Sequence, residues 1–501
     1  MEKNILQCLE ETVKKFPNKI AFEEINREIN YKELMENAKK IGTALSSKNI
    51  MNEPVAIFID KSISCLEAML GVLYSGNFYT VLDTKSPSER INTILETLMP
   101  KVIITTAKNV DKLEKLEFDG KVYTYEKMTE FKINEEKLTS IRNKTIDTDP
   151  AYVLFTSGST GVPKGTVVSH RAVLSYTEWV KEQFDITEKT KFGSQTPFYF
   201  SMSVTDVFST IRTGATLYII PKMYFSFPTK LLEFLKEKEI NTIYWVPSAL
   251  CIVANLGALE NAELPKLKKV LFAGEVMPMK QLNIWRKKFN NVMFANLYGP
   301  TETTDICTYY VVDRDFNNGD TLPIGKHCNN CDILIIKEDG TEAKQGEEGE
   351  LCARGSFLAM GYYRNQQKTG EVFVQNPLNK AYPEVIYKTG DIVKMNEKNE
   401  IIYISRKDFQ IKHMGYRIEL GEIEAAINSI DGIRSCACIY DNENSKIVLF
   451  YQGNKMDESD LLEQAKKKLP IYMLPNVIKC IDRIPYNANG KIDIAKLKST
   501  I

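Results

Sequence analysis

The sequence has no excess of either charge: 65 Lys and Arg face 65 Asp and Glu in 501 residues. Nothing in that balance points to a broad nucleic-acid surface or an acidic tail, so no nucleic-acid partner is expected. Long apolar runs are missing as well. The start, MEKNILQCLEETVKKFPNKIAFEE, lacks an apolar core followed by a small-residue cleavage site, and no later run approaches a membrane span; this predicts a cytoplasmic protein with no membrane partner. Cysteine supplies 10 residues, scattered among apolar neighbours as at Cys65, Cys251, Cys307 and Cys352, which suits reduced core thiols better than a disulfide framework. Only Cys328-Asn-Asn-Cys331 has ligand-like spacing, and His327 adds at most a third candidate where zinc takes about four, so a structural turn is expected there. Long repeats and low-complexity segments are absent.

What is present is enough chain for two or more domains. Apolar runs such as EPVAIFID, KVIITT, NTIYWVP and KVLFAGE read as buried strands, and SCLEAMLGVLYSG and TKLLEFLKEKE between them have helical spacing. The alternation predicts an α/β fold: a large N-terminal domain of layered α/β subdomains with mostly parallel sheets. After about residue 315 shorter strands and turns predict a β-rich subdomain reaching residue 407. From Asp408 the texture changes again. IELGEIEAAINSI reads as a helix, SCACIYD and KIVLFYQ as strands, and DESDLLEQAKKKLP as another helix, giving a small α+β C-terminal domain over residues 408–501 after a core domain of 1–407.

The stretch YVLFTSGSTGVPKGTVV, residues 152–168, joins two strands through a loop of glycines and hydroxyls. Glycine lets backbone N–H groups converge on phosphate, and Thr156, Ser157, Ser159 and Thr160 add donors. A standard P-loop would follow its lysine with Ser or Thr and a helix, whereas Lys164 here precedes Gly165-Thr166 in a strand. The ordered string T-S-G-S-T-G-x-P-K-G instead resembles the signature loop of the adenylate-forming superfamily. Further segments similar to that family's motifs appear in order: INYKEL near Tyr31, LYSGNFYTVLD ending at Asp83, NLYGPTETT from Asn296, GELCARG from Gly349, YKTGD ending at Asp391, SRKDFQIKHMGYRIELGEIE, and PYNANGKID around Lys491. The likeness covers nearly the whole chain. The forms YGPTE, RIELGEIE and NGKID look most like amino-acid adenylation domains of non-ribosomal peptide synthetases and stand-alone D-alanine–carrier-protein ligases.

The resemblance implies that ATP and magnesium activate a carboxylate as an acyl-adenylate, after which the acyl group passes to a phosphopantetheine thiol. Attack of a carboxylate on the α-phosphorus joins two anions, so the site must neutralise charge and hold the reactants in line. By resemblance, Lys491 bridges carboxylate and α-phosphate, Glu302 associates with magnesium, Thr301 bonds phosphate and Tyr298 stacks on adenine, with Asn296 and Gly299 beside them. The loop residues Thr156, Ser157, Gly158, Ser159, Thr160, Gly161 and Lys164 would hold the phosphates. Asp391 would accept both ribose hydroxyls, supported by Arg406. Family behaviour further implies that the small domain turns about Asp408, withdrawing Lys491 and bringing the strand around Gly415 to the thiol. The chain stops ten residues after Lys491 with no serine-bearing helical bundle, so the carrier protein is expected in trans.

The substrate is read from the pocket positions. Family members begin the pocket with F-D-x-S, whose aspartate pairs with an α-ammonium group; Phe200-Ser201-Met202-Ser203 puts a serine there. A serine cannot neutralise a desolvated ammonium, and leaving that charge uncompensated costs on the order of a thousandfold in binding. By the same matching, Met202, Thr205, Trp245, Leu271, Ala273, Gly274, Leu297, Asp305 and Ile306 line the pocket, with Trp245 reducing its depth. Charge lost at Ser201 and gained at Asp305 suggests a displaced amine, as in β-alanine or another β- or ω-amino acid. An aryl or hydroxy acid whose hydroxyl bonds Asp305, an α-amino acid of the D-alanine kind, and an acyl- or aryl-CoA ligase remain alternatives. A non-catalytic ATP-binding scaffold would predict damage at Lys491, Glu302, Asp391 or the TSGSTG loop, and these are intact.

Overall fold

The computed structural model describes residues 2–47, 50–158, 161–408, 410–441, 444–485, 492 and 494–500. Runs made almost wholly of apolar residues become strands covered on both faces, as Pro54–Phe58 and Val102–Thr105 are. Among the described residues these build a seven-stranded sheet in the order Gly361–Tyr362, Lys164–Ser169, Pro150–Thr156, Phe78–Val81, Pro54–Phe58, Val102–Thr105, Lys121–Thr124. A nine-stranded sheet runs Lys326–His327, Thr308–Val311, Met293–Tyr298, Lys269–Phe272, Thr242–Trp245, Lys191–Ser194, Thr216–Ile219, Ile20–Glu24, Arg27–Asn30. One large apolar core, with Trp179, Trp245 and Trp285 buried in it, ties the two sheets and their helices together.

The β-rich part expected from about residue 315 takes shape from Cys331, because Thr308–Val311 and Lys326–His327 still pair within the nine-stranded sheet. It is a five-stranded antiparallel sheet built on Cys331–Ile336, Glu348–Gly355, Val385–Met395, Phe373–Gln375 and Ile401–Arg406. Beyond Asp408, a two-stranded hairpin, Gln410–His413 with Tyr416–Glu419, leads into the helix Leu420–Asn428. A separate apolar cluster around Ile423, Leu449 and Leu461 forms the small core there.

Six strand ends open onto the cleft. Lys191–Ser194, Thr242–Trp245, Lys269–Phe272 and Met293–Tyr298 are neighbouring parallel strands, and their carboxyl ends open together onto one cleft. Phe78–Val81 and Pro150–Thr156 of the other sheet, also parallel where they pair, end on the same cleft. Crevices at the carboxyl ends of parallel strands are where α/β proteins bind ligands.

Away from the cleft lining, the helices Tyr31–Ser46 and Ile63–Tyr74 meet almost backbone to backbone. A Cβ at Gly42 would stand 2.6 Å from Tyr74 Cβ, and one at Gly71 would stand 2.4 Å from Ile41 Cγ2. Gly71→Ala is therefore expected to force the helices apart at a cost of about 1–3 kcal/mol, read as a lower thermal midpoint with unchanged substrate preference.

Candidate active site

The cleft gathers side chains from segments hundreds of residues apart. Thr156, Ser157, Gly299 and Thr301 line one part of it, Asp391 and Arg406 another, and Phe200, Ser201, Met202, Ala273, Gly274, Asp305 and Ile306 a third. Ser159, Thr160 and Lys491 lie outside the described residues. Gly158 cannot carry a side chain, since a Cβ there would meet the Val162 carbonyl oxygen at 2.0 Å, and Gly161 has φ +83°.

Glu302 is fully buried in the short turn Thr301–Thr303. Arg417 Nη1 donates to both its oxygens at 3.0 and 2.8 Å, the Tyr362 hydroxyl donates at 2.6 Å, and Lys164 Nζ stands 3.9 Å away. Burial pushes its carboxyl up, but Arg417 and then Lys164 outweigh burial and hold it at about 2. Lys164 is itself brought down to about 8, first by burial and then by Arg417. Magnesium keeps several waters and takes one or two carboxylates plus substrate phosphates. Among the described residues no three His, Cys, Asp or Glu converge as a metal cage, and a single ionised carboxylate, with the hydroxyls of Thr156 and Ser157 on the loop before Lys164, is a donor set that a phosphate-borne magnesium would fit at the place Arg417 holds here.

Asp391, also buried, accepts from Arg406 Nη1 at 2.7 Å and from the Tyr298 hydroxyl. Arg406 reaches on to Asp408 with two bonds of 2.6 and 2.8 Å, so the residue expected at the turning point is tied directly to the one expected at the ribose. The Tyr298 ring is covered by the Lys412 ammonium, 5.0 Å from its centroid. Asn296 turns away and donates to the Pro323 carbonyl at 2.8 Å.

The hairpin after Asp408 enters the same cleft. Gly415, at its tip with φ +79°, packs so tightly on Val246 that a Cβ would lie 2.4 Å from Val246 Cγ1, and only glycine combines that backbone with that approach. Tyr416 sets its ring edge-on to Phe200 at 4.9 Å and stacks on Tyr472 at 3.6 Å. The Arg417 carbonyl accepts from Ser157, and a buried Arg90–Glu422 ion pair holds the following helix to the large domain.

Asp305, 1% exposed, is also part of the cleft wall. Three hydroxyls reach its Oδ2: Tyr176 at 2.9 Å, Thr205 at 2.7 Å and Tyr244 at 3.1 Å. Burial raises its carboxyl to about 6 against those three bonds, and no cation figures among the influences on it. Ser201 stays close to the phosphate side, where Thr301 donates to it at 3.4 Å.

Trp245 does not line the cleft, contrary to the expectation that it limits pocket depth. It is buried on the other face of its strand, its Nε1 donating to the Gly193 carbonyl at 2.8 Å and its ring against Phe225. Tyr244 holds the inward place. Register explains this: Tyr244 pairs with Leu271, and Leu271 with Ala295, so these residues and Leu297, two beyond Ala295, share one face, while Trp245 pairs with Phe272 and Asn296 on the other. Leu271 and Leu297 are buried behind the wall, and Thr205 acts through its bond to Asp305. Tyr176 and Tyr244 were missed from sequence; the alternation along TIYW, once aligned with Leu271, signals Tyr244, whereas nothing local signals Tyr176.

Residues 9–363 match the family model of the AMP-binding enzymes. The chain belongs to that family. It is 31% identical over 515 residues to zwittermicin A synthase ZmaJ of Bacillus cereus, covering 98% of this chain and 93% of that protein. It spans between 19% and 44% of the length of longer curated relatives. Its fold is shared with the Vibrio cholerae adenylation domain AlmE solved with glycyl-adenosine-5'-phosphate, at TM-score 0.85 and 23% identity over 100% of this chain and 98% of that one. It is shared equally with NpsA-ThdA, an artificially fused adenylation–PCP di-domain from Klebsiella oxytoca, at TM-score 0.81 and 20% identity over 95% and 93%. As a member of this adenylate-forming family, the chain activates a carboxylate with ATP. Among its described residues no helix is long and apolar enough to cross a membrane.

Arg417→Ala leaves Glu302 buried without its main counter-charge, a loss of about 3–5 kcal/mol. The small domain is then expected to undock, read as faster protease cutting near residues 407–410 that magnesium and ATP do not reverse, since they would meet Glu302 without restoring the Arg417 contact.

Proposed function

We propose that the enzyme activates a small amino acid whose amine is displaced from the α position, β-alanine-like or another β- or ω-amino acid, and transfers it to the phosphopantetheine arm of a separate carrier protein. The observation that carries the reading is Asp305: a buried carboxylate on the cleft wall with no cation beside it, in a pocket where Ser201 stands at the place of the usual α-ammonium partner. A buried unpaired charge costs several kcal/mol, and a substrate ammonium removes that cost.

In the first step a carboxylate oxygen attacks the α-phosphorus of ATP and pyrophosphate leaves. Lys491 is assigned to holding the carboxylate against the phosphate, Thr156, Ser157 and Thr301 to donating to phosphate oxygens, and Asp391 with Arg406 to fixing the ribose. Magnesium, held by Glu302 and the phosphates, would supply neutralising charge. In the second step a thiol adds to the acyl carbon and AMP leaves with the bonding electrons of the mixed anhydride. The small domain is assigned a turn about Asp408 between the steps. The contact of Arg417 with Glu302 suits the second step, because it occupies the place that magnesium would need in the first, and the hairpin around Gly415 packs on Val246 in the same arrangement. Likeness to an adenylation–PCP di-domain protein supports a carrier as acceptor.

Substrate-dependent ATP–pyrophosphate exchange across α-, β- and ω-amino acids and hydroxybenzoates is expected to run fastest with a β- or ω-amino acid. Asp305→Asn should weaken that substrate by about thirtyfold or more. Fastest exchange with an α-amino acid or a hydroxybenzoate would falsify the reading, and thioester formation on coenzyme A in preference to a holo carrier would move the acceptor.

A further inference from the structure

Resting on that reading, the cluster around Asp305 deepens it. Tyr176 comes from the helix His170–Gln183, Thr205 from Ser203–Thr213 and Tyr244 from the strand Thr242–Trp245, and all three are fully buried. Besides their bonds to Asp305 Oδ2, Tyr176 and Thr205 touch each other at 2.6 Å. Four oxygen–oxygen contacts therefore join four groups, and each hydroxyl carries one hydrogen. Three hydroxyl hydrogens fill only three contacts. The fourth is filled when Asp305 carries a proton: Oδ2–H then donates to Tyr176, reversing that bond, Tyr176 donates to Thr205 and Thr205 back to Oδ2, whose acceptor capacity is then taken, so the Tyr244 bond serves the ionised form.

We propose that Tyr176, Thr205 and Tyr244 are specificity-determining residues that hold Asp305 as a proton-exchanging acceptor, so that in mildly acidic solution the empty pocket stores a proton which a substrate ammonium replaces. The exchange balances: the carboxylic acid and R–NH3⁺ give a carboxylate–ammonium pair, and the acid's proton goes to solvent. Among the described residues no hydroxyl reaches Oδ1, which leaves that oxygen for the ammonium. A substrate hydroxyl offers no charge to hold the carboxylate ionised, so the device selects for amines over hydroxy acids.

The surroundings are consistent with this exchange. Asp206 on the same helix as Thr205, Tyr152 and Cys328 all sense the Asp305 charge, and none is a cation. Lys61 faces Asp206 and donates to the Ser194 carbonyl and hydroxyl at 2.9 and 3.1 Å, so it is engaged elsewhere. The carboxyl value of about 6 places the exchange within reach of experiment: Asp305 is protonated below it and accepts an ammonium above it, so apparent affinity for an amine rises with pH through that region and then levels.

Two measurements on the full chain test the proposal with the best amine substrate of the exchange panel, β-alanine being the first probe. Calorimetry near pH 5.5 in two buffers of different ionisation enthalpy is expected to show release of most of one proton on binding, falling towards none at pH 7.5. Tyr244→Phe, which removes a donor from Oδ2 alone, is expected to raise KM about tenfold, leave kcat within about twofold, and move the inflection of kcat/KM to higher pH. An unchanged inflection, or no proton release at pH 5.5, overturns the proposal even if β- and ω-amino acids remain the preferred substrates. Should Tyr244→Phe fold poorly, Thr205→Val reads the same shift, with Thr205→Ser expected to restore the wild-type profile. Preference of the wild type for α-amino or hydroxy acids would defeat the underlying substrate reading instead, whatever the variants do.

Discussion

Every part of this site answers one constraint: a carboxylate taken out of water must be met by charge or by hydrogen bonds. Three buried carboxylates line the cleft or back it, and each is met differently. Glu302 has a guanidinium on both oxygens and an ammonium nearby. Asp391 has Arg406 and a phenol. Asp305 has only hydroxyls. The first two are fully compensated from within the chain, whereas the third holds a position whose charge is balanced by a proton or by a ligand, and this difference is what the substrate proposal rests on.

The same constraint couples the two parts of the enzyme. Glu302 belongs to the large domain and Arg417 to the hairpin beyond Asp408, so the small domain docks by supplying a cation that the large one needs. Arg417 is held from the far side as well, its carbonyl accepting from Ser157 in the phosphate-type loop. A nucleotide-borne cation at Glu302 would do Arg417's work, and would therefore weaken the contact that docks the small domain in this structure. Aromatic contacts of Tyr416 with Phe200 and Tyr472 add apolar area to that docking without favouring either charge state.

Consecutive motifs made much of the nucleotide side readable in the chain. Thr301 and Glu302 stand in one turn, Asp391 and Arg406 pair across adjacent antiparallel strands, and the glycines at 158 and 161 mark backbone that admits no side chain or has positive φ. The pocket floor was less legible. Trp245 and Tyr244 are neighbours in sequence, and which one faces inward depends on a strand register set by Leu271 and Ala295, further along the chain. The start of the β-rich region shifted for a similar reason, because Lys326–His327 finds its partner in the large sheet rather than in the segment that follows it.

The sequence by itself determined that this is an adenylating enzyme, that an acidic residue sits at position 305 and that none sits at position 201. These are matters of residue identity in ordered local motifs. Only the tertiary structure decided that Asp305 is met by Tyr176, 129 residues earlier, and by Tyr244, 61 residues earlier, and that Glu302 is met by Arg417, 115 residues later. Such partners are chosen by how sheets and domains pack, since the compensation of a buried charge acts through a few ångströms of space and takes no account of separation along the chain.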